Sequence, residues 1–138
     1  MNRNKSRTNI SLPTSKPPKP RVLVVDDDDK IIRFVNINLK LAGYDVITAQ
    51  NGEIALKLVA SEKPDIMVLD IVMPVMDGFE VLRRVRAVSD LPVIVFSAHS
   101  SATQEALRLG ANDFLNKPFN PSELIRKIKT LENHPTKG

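Results

Sequence analysis

From Arg21 onward the chain alternates short apolar runs with stretches in which apolar residues return every three or four positions. The runs at about 21–25, 45–49, 66–70, 92–97 and 113–116 are rich in Val, Ile and Phe, and three of them carry no polar alternation. Continuous apolar runs of this length predict strands buried on both faces of a sheet. Between them, Ile31, Phe34, Val35, Asn38, Leu39 and Ala42 recur at helical spacing, and Gly43 stands where a helix of that phase should stop. A second helix is predicted at about 52–62 on Ile54, Ala55, Leu58 and Val59, with Pro64 just past its end. A third follows Asp77-Gly78 with Phe79, Val81, Leu82 and Val85, and a short, rather polar fourth lies near 102–109. The fifth opens on Asn120-Pro121-Ser122-Glu123, an Asn cap followed by a first-turn proline, with Leu124, Ile125, Ile128 and Leu131 as its buried stripe. Five strand–helix pairs imply an α/β fold, a parallel sheet with right-handed crossovers and helices on both faces.

The polar residues that end these runs change the picture. Val22-Leu23-Val24-Val25 runs into four consecutive carboxylates, Asp26 to Asp29; the third run ends in Asp70, the fourth in Ser97 and the fifth in Asn116-Lys117. In an open parallel sheet the carboxyl ends of the strands share one edge, where ligands bind. Acids, a hydroxyl and an amine should therefore converge there. Crowded carboxylates repel and call for a cation, and a hard divalent metal suits oxygen donors. Asp28 and Asp29 have a simpler role available, capping the first helix and favouring its dipole.

Composition narrows the classes. The 138 residues make room for one folded domain, and the absence of cysteine removes disulfides and thiolate metal sites. No apolar run reaches the length of a membrane span, and a cytoplasmic protein without membrane contact is expected. The formal charge of +4 resides in the first twenty residues, where Arg3, Lys5, Arg7, Lys16 and Lys19 occur with no acid; the remainder holds 15 bases against 16 acids. Residues 1–20, rich in proline, read as a disordered basic leader, residues 21–133 as the folded domain and residues 134–138 as a flexible tail. Direct nucleic-acid binding by residues 21–133 is not expected. An EF-hand read from Asp26 fails, because Ile31 and Ile37 stand where Gly and Glu are required. His99 and His134 form no recognisable ligand pair, and no Gly-rich nucleotide loop occurs.

Four motifs in register, Val-Val-Asp-Asp at 24–27, Asp-Ile-Val-Met-Pro-Val-Met-Asp-Gly at 70–78, Phe-Ser-Ala at 96–98 and Lys-Pro-Phe at 117–119, resemble the receiver domain of two-component response regulators. The likeness spans residues 21–133. It implies a flavodoxin-like, doubly wound sheet of five strands in the order 2-1-3-4-5 with five helices. It also implies a phosphoacceptor switch that takes a phosphoryl group on Asp70 from a sensor histidine kinase or histidine phosphotransfer protein. The implied metal is Mg²⁺, held by Asp27 directly, Asp26 through water, Asp70 and the backbone carbonyl of Val72. Lys117 and Ser97 would serve the phosphoryl group, and Lys117-Pro118 is a candidate cis peptide, since X-Pro bonds adopt cis at modest cost.

The same resemblance makes Ser97 and Phe114 the switch pair, signalling through helix four, strand five and helix five to a downstream protein. Val72 and His99 would set the lifetime of the phosphorylated state. Asp113, Glu123 and Lys127 are types used for symmetric pairing on that face, so a homodimer on phosphorylation is possible, although Thr103 occupies a place where a basic partner is expected. Such a domain catalyses its own phosphorylation and dephosphorylation without being an enzyme in the ordinary sense. Two other classes compete: a pseudo-receiver acting only as a protein-binding module, and a metal-dependent phosphatase using Asp26-x-Asp28 with Asp26 as nucleophile.

Overall fold

The computed structural model describes residues 19–133; most of the expected leader and the expected tail, with His134, lie outside the described residues. In chain order the elements are β1 (Arg21–Val25), α1 (Asp29–Leu41), β2 (Asp45–Ala49), α2 (Gly52–Glu62), β3 (Ile66–Asp70), α3 (Gly78–Arg86), β4 (Val93–Ser97), α4 (Ser101–Arg108), β5 (Asp113–Asn116) and α5 (Pro121–Asn133). All strand pairs are parallel and the sheet order is β2-β1-β3-β4-β5, the doubly wound arrangement expected. Strand four begins at Val93 rather than 92. Pro92 has no N–H to give the ladder, although its carbonyl still accepts from the Met67 N–H at 2.9 Å.

The apolar strands β1, β3 and β4 are central and buried on both sides, whereas the edge strands β2 and β5 are only partly covered. Alternate residues serve opposite layers. Leu23, Val25, Met67, Leu69, Val93 and Val95 pack with Ala55 of α2, Val81, Leu82 and Val85 of α3 and Ala106 of α4. Val22, Val24, Val68, Ile94, Phe96 and Leu115 pack with Val35 and Leu39 of α1 and Leu124 and Ile128 of α5. Register is therefore strongly specified, because a one-residue slip would exchange the two layers.

Helix ends follow the local chemistry. Asp28 caps α1 by accepting from the Lys30 N–H, Asn51 caps α2 through Ile54, and Asp77 caps α3 through Glu80. Asn120 Oδ1 accepts from the Ser122 N–H at 3.0 Å at the start of α5. Gly43 takes φ +98 after α1, as its position implied. Two expectations need correction. Phe34 lies on the predicted apolar stripe of α1 yet remains 44% exposed, and Thr103 is buried, its hydroxyl donating to the Ser100 carbonyl at 2.8 Å. Thr103 faces inward, so it is not a surface position from which a basic residue could pair.

Gly78 fixes the approach of α3 to the end of β3. A Cβ there would lie 2.4 Å from the Asp70 carbonyl oxygen and 2.7 Å from Ile71 Cα, and the Gly78 N–H donates to the Ile71 carbonyl at 2.8 Å. Gly78→Ala is expected to cost about 1–3 kcal/mol in urea denaturation, the usual scale of overpacking. An unchanged midpoint would show that the loop relaxes freely.

Candidate functional site: an acidic cluster at the carboxyl edge of the sheet

β1 and β3 are neighbours, so their last polar residues emerge side by side. Carboxylate oxygens of Asp26, Asp27 and Asp70 lie within 4.8 Å of one another, with Asp26 and Asp70 buried and Asp27 exposed. Lys117, arriving from the end of β5, reaches across both: its Nζ donates to Asp26 Oδ2 at 3.1 Å and to Asp70 Oδ1 at 3.2 Å. The Lys117 N–H donates to the Ser97 carbonyl at 2.9 Å, which ties that loop to the end of β4, and the Lys117–Pro118 peptide is cis.

The electrostatics follow from this crowding. Burial, then the neighbouring Asp26 charge, push the Asp70 carboxyl up to about 6, although Lys117 pulls against them. Burial draws the Lys117 ammonium down, but its hydrogen bonds and attraction to Asp26 and Asp70 outweigh this and leave its pKa raised. Three carboxylates thus face one ammonium, an excess of negative charge on hard oxygen donors that fits a divalent cation. The two buried acids differ in availability. Asp26 accepts from Lys117 on one oxygen and from the Asp28 N–H at 3.0 Å on the other, which leaves it poorly placed as a nucleophile.

The remaining expected residues divide by location. Ser97 is buried at the end of β4, and its hydroxyl accepts from the His99 N–H at 3.1 Å, closing its own loop. The side chains of Val72 and His99 are exposed. Phe114 is half-buried on β5, with Lys127 Nζ 5.9 Å from its ring centroid; the same ammonium donates to both Asp113 oxygens at 3.2 Å. Asp113 and Lys127 are therefore already paired within the chain. Asp29 accepts from Gln50 Nε2 beside the cluster. Two residues stand inside the quoted motifs with roles the motifs do not reveal. Gly78 sets the position of Asp70, which the Asp-Gly pair before a helix could have signalled. Phe96 lies under Lys117, and an aromatic within an apolar strand gives no sign of that.

A doubly wound sheet with acids, a hydroxyl and a lysine at one edge is the arrangement of a receiver-type domain, and comparison with known proteins shows the same family and fold. Residues 22–129 match the model of the response regulator receiver domain, and the chain belongs to that family. It is 40% identical over 114 residues to the alkaline phosphatase synthesis transcriptional regulatory protein PhoP of Bacillus subtilis, covering 80% of this chain and 48% of that protein. It is 45% identical over 115 residues to the transcriptional regulatory protein PrrA of Mycobacterium tuberculosis, covering 81% and 49%. The chain thus spans about half the length of these curated relatives. Among solved structures, the Francisella response regulator 1452 receiver domain superposes with a TM-score of 0.80 at 36% identity, covering 86% of this chain and 100% of that one. The chemotaxis response regulator CheY4 of Vibrio cholerae gives 0.78 at 34%, covering 83% and 99%. Among the described residues no helix is long and apolar enough to cross a membrane.

The raised Asp70 carboxyl has a consequence for stability whose sign is fixed. Its folded pKa lies above the ordinary carboxylate value of 3.8, so ionising it costs folding free energy, a penalty absent below the unfolded value and fully developed above about pH 7. Without metal, Asp70→Asn should be more stable than the parent at pH 7.5, by up to about 2–3 kcal/mol. That gap should narrow as pH falls below about 6 and close below the ordinary value of 3.8. Thermal or urea denaturation across this range checks it, and a gap independent of pH would contradict the assignment.

Proposed function

We propose that residues 21–133 act as a phosphoacceptor switch, taking a phosphoryl group from a phosphohistidine of a sensor kinase or phosphotransfer protein onto Asp70. The observation that carries this is the convergence of Asp26, Asp27 and Asp70 on Lys117, with Asp26 held on both oxygens and Asp70 held by Lys117 on Oδ1. A raised pKa makes Asp70 a more basic nucleophile while leaving it roughly nine-tenths ionised at pH 7. An Asp70 oxygen attacks phosphorus, the phosphorus–nitrogen bond breaks with its electron pair passing to the imidazole, and an acyl phosphate forms. Lys117 keeps a cation at the acceptor throughout, offsetting charge as it moves onto the phosphoryl oxygens.

Mg²⁺ fits the oxygen donor set: Asp27, Asp70 and the Val72 carbonyl would hold it, with Asp26 through water, and it would supply the divalent charge that draws the phosphoryl oxygens in. Ser97 turns from the His99 N–H toward the phosphoryl oxygens, and Phe114 moves into the space this opens. The surface of α4, β5 and α5 then changes for a downstream protein. Exposed Val72 and His99 flank the approach of water and set the lifetime of the acyl phosphate. The full-length relatives are transcriptional regulators, so an output through gene expression in the cytoplasm is the natural setting. A homodimer on phosphorylation requires Asp113 and Lys127 to exchange their internal pairing for contacts between copies, together with Glu123.

Acetyl phosphate with Mg²⁺ is expected to add one phosphoryl group at Asp70, read by intact mass and peptide mapping, and Asp70→Asn should take up none. Persistent absence of an adduct would favour a pseudo-receiver that only binds proteins, and an adduct that survives Asp70→Asn would move the chemistry elsewhere. On beryllofluoride binding, sedimentation should report a dimer; unchanged sedimentation would remove that part of the reading.

A further inference from the structure

Lys117 is held by more than its two carboxylates. Its Nζ stands 4.8 Å from the centroid of the Phe96 ring, and Phe96 is fully buried. Phe119 meets that ring edge-on at 5.7 Å and 89°, and Phe34 of α1 meets Phe119 at 6.4 Å and 61°. Three phenylalanines thus run from the half-exposed surface of α1 to the underside of the ammonium.

An aliphatic residue at 96 would fill the core as well, but it would offer the ammonium nothing. A ring presents a negative face that attracts a cation, and the attraction grows when the pair is withdrawn from water. Edge-to-face neighbours fix the plane of that ring. Lysine needs such a guide because its ammonium is a point charge on a flexible four-carbon stem. The two carboxylates that hold it come from different strands, and one of them is the group whose chemistry changes in the proposed reaction. The ring does not change.

We propose that Phe96 is a positioning residue for Lys117: its ring face, held edge-on by Phe119, which Phe34 contacts in turn, sets the ammonium at the acceptor carboxylate. The catalytic consequence rests on the phosphoacceptor reading, whereas the position of the ammonium does not.

The test uses Phe96→Leu with two readouts. The first is the NMR shift of the Lys117 ε-methylene protons in the metal-free protein, which the ring face moves upfield in the parent and which should return toward the free-lysine value in the variant. The second is the initial rate of Mg²⁺-dependent labelling by acetyl phosphate, measured with and without Lys117→Met. Phe96→Leu should slow labelling about 3- to 10-fold when Lys117 is present, the scale of a desolvated cation–ring contact. It should have no further effect in the Lys117→Met background, because a residue that acts through another is not additive with it. Mg²⁺ affinity should stay within about twofold, since Phe96 supplies no ligand.

Unmoved methylene shifts, or equal slowing in both backgrounds, would make Phe96 a core residue only and overturn the proposal. If the parent takes no phosphoryl group at all, the phosphoacceptor reading falls, and the methylene shifts alone decide whether the ring holds the ammonium. Should Phe96→Leu not fold, Phe119→Leu leaves the ring in place but frees its plane, and the same two readouts are expected to change in the same direction by less.

Discussion

A single ammonium group joins two buried carboxylates that lie 91 and 47 residues away in the chain. Removing charges from water is costly, and a buried ion cluster returns that cost only if its geometry is good. Here the geometry is supplied by backbone on every side. The Asp26 N–H is bonded to Ala49 of β2, β1 and β3 lie in register beside each other, and the Lys117 N–H is bonded to Ser97 of β4. The sheet's carboxyl edge therefore exists in its present form because four of its strands agree on where one positive charge belongs.

The cluster is left short of balance, with three carboxylates and one ammonium. A fold optimised for stability would exchange such a group for apolar packing. Retaining it gives a site whose excess negative charge suits a divalent cation and in which burial and Asp26 push the Asp70 carboxyl up to about 6. The two layers of the core leave this edge open while burying everything beneath it, so reactive groups sit on rigid strand ends rather than on long loops. The strand that carries Ser97 to this edge also carries Phe96 into the layer of α1 and α5, which connects the site to the helix surface through aromatic contacts.

The surface around β5 and α5 couples its groups in a comparable way. Lys127 serves Asp113 and lies over Phe114 at once, so a movement of Phe114 would alter the surroundings of a charged pair at the surface. Surface pairs contribute little to stability, but they select partners. Thr103 faces inward, which leaves Asp113, Glu123 and Lys127 as the residues of interest on this face.

Most of the architecture was legible in the linear pattern because its signals are local. Apolar runs of strand length, caps such as Asn51 and Asp77, Gly43 after α1 and the Asn-Pro start of α5 each act within a few residues. The polar residues at strand ends were equally plain, since a carboxylate that closes a buried run costs stability unless a cation or a hydrogen-bond donor meets it. What local pattern could not carry was anything that depends on two distant segments meeting. Phe34 obeys the helical period and still faces solvent; Thr103 looks like a surface polar residue and is buried; Phe96 reads as core and lies under the ammonium. The sequence by itself thus determined the elements, their order and the chemical inventory of the edge. Only the tertiary structure decided which carboxylate is fully engaged, how far Asp70 is raised and what holds Lys117, because those depend on distances and burial set by strand neighbours rather than by neighbours in the chain.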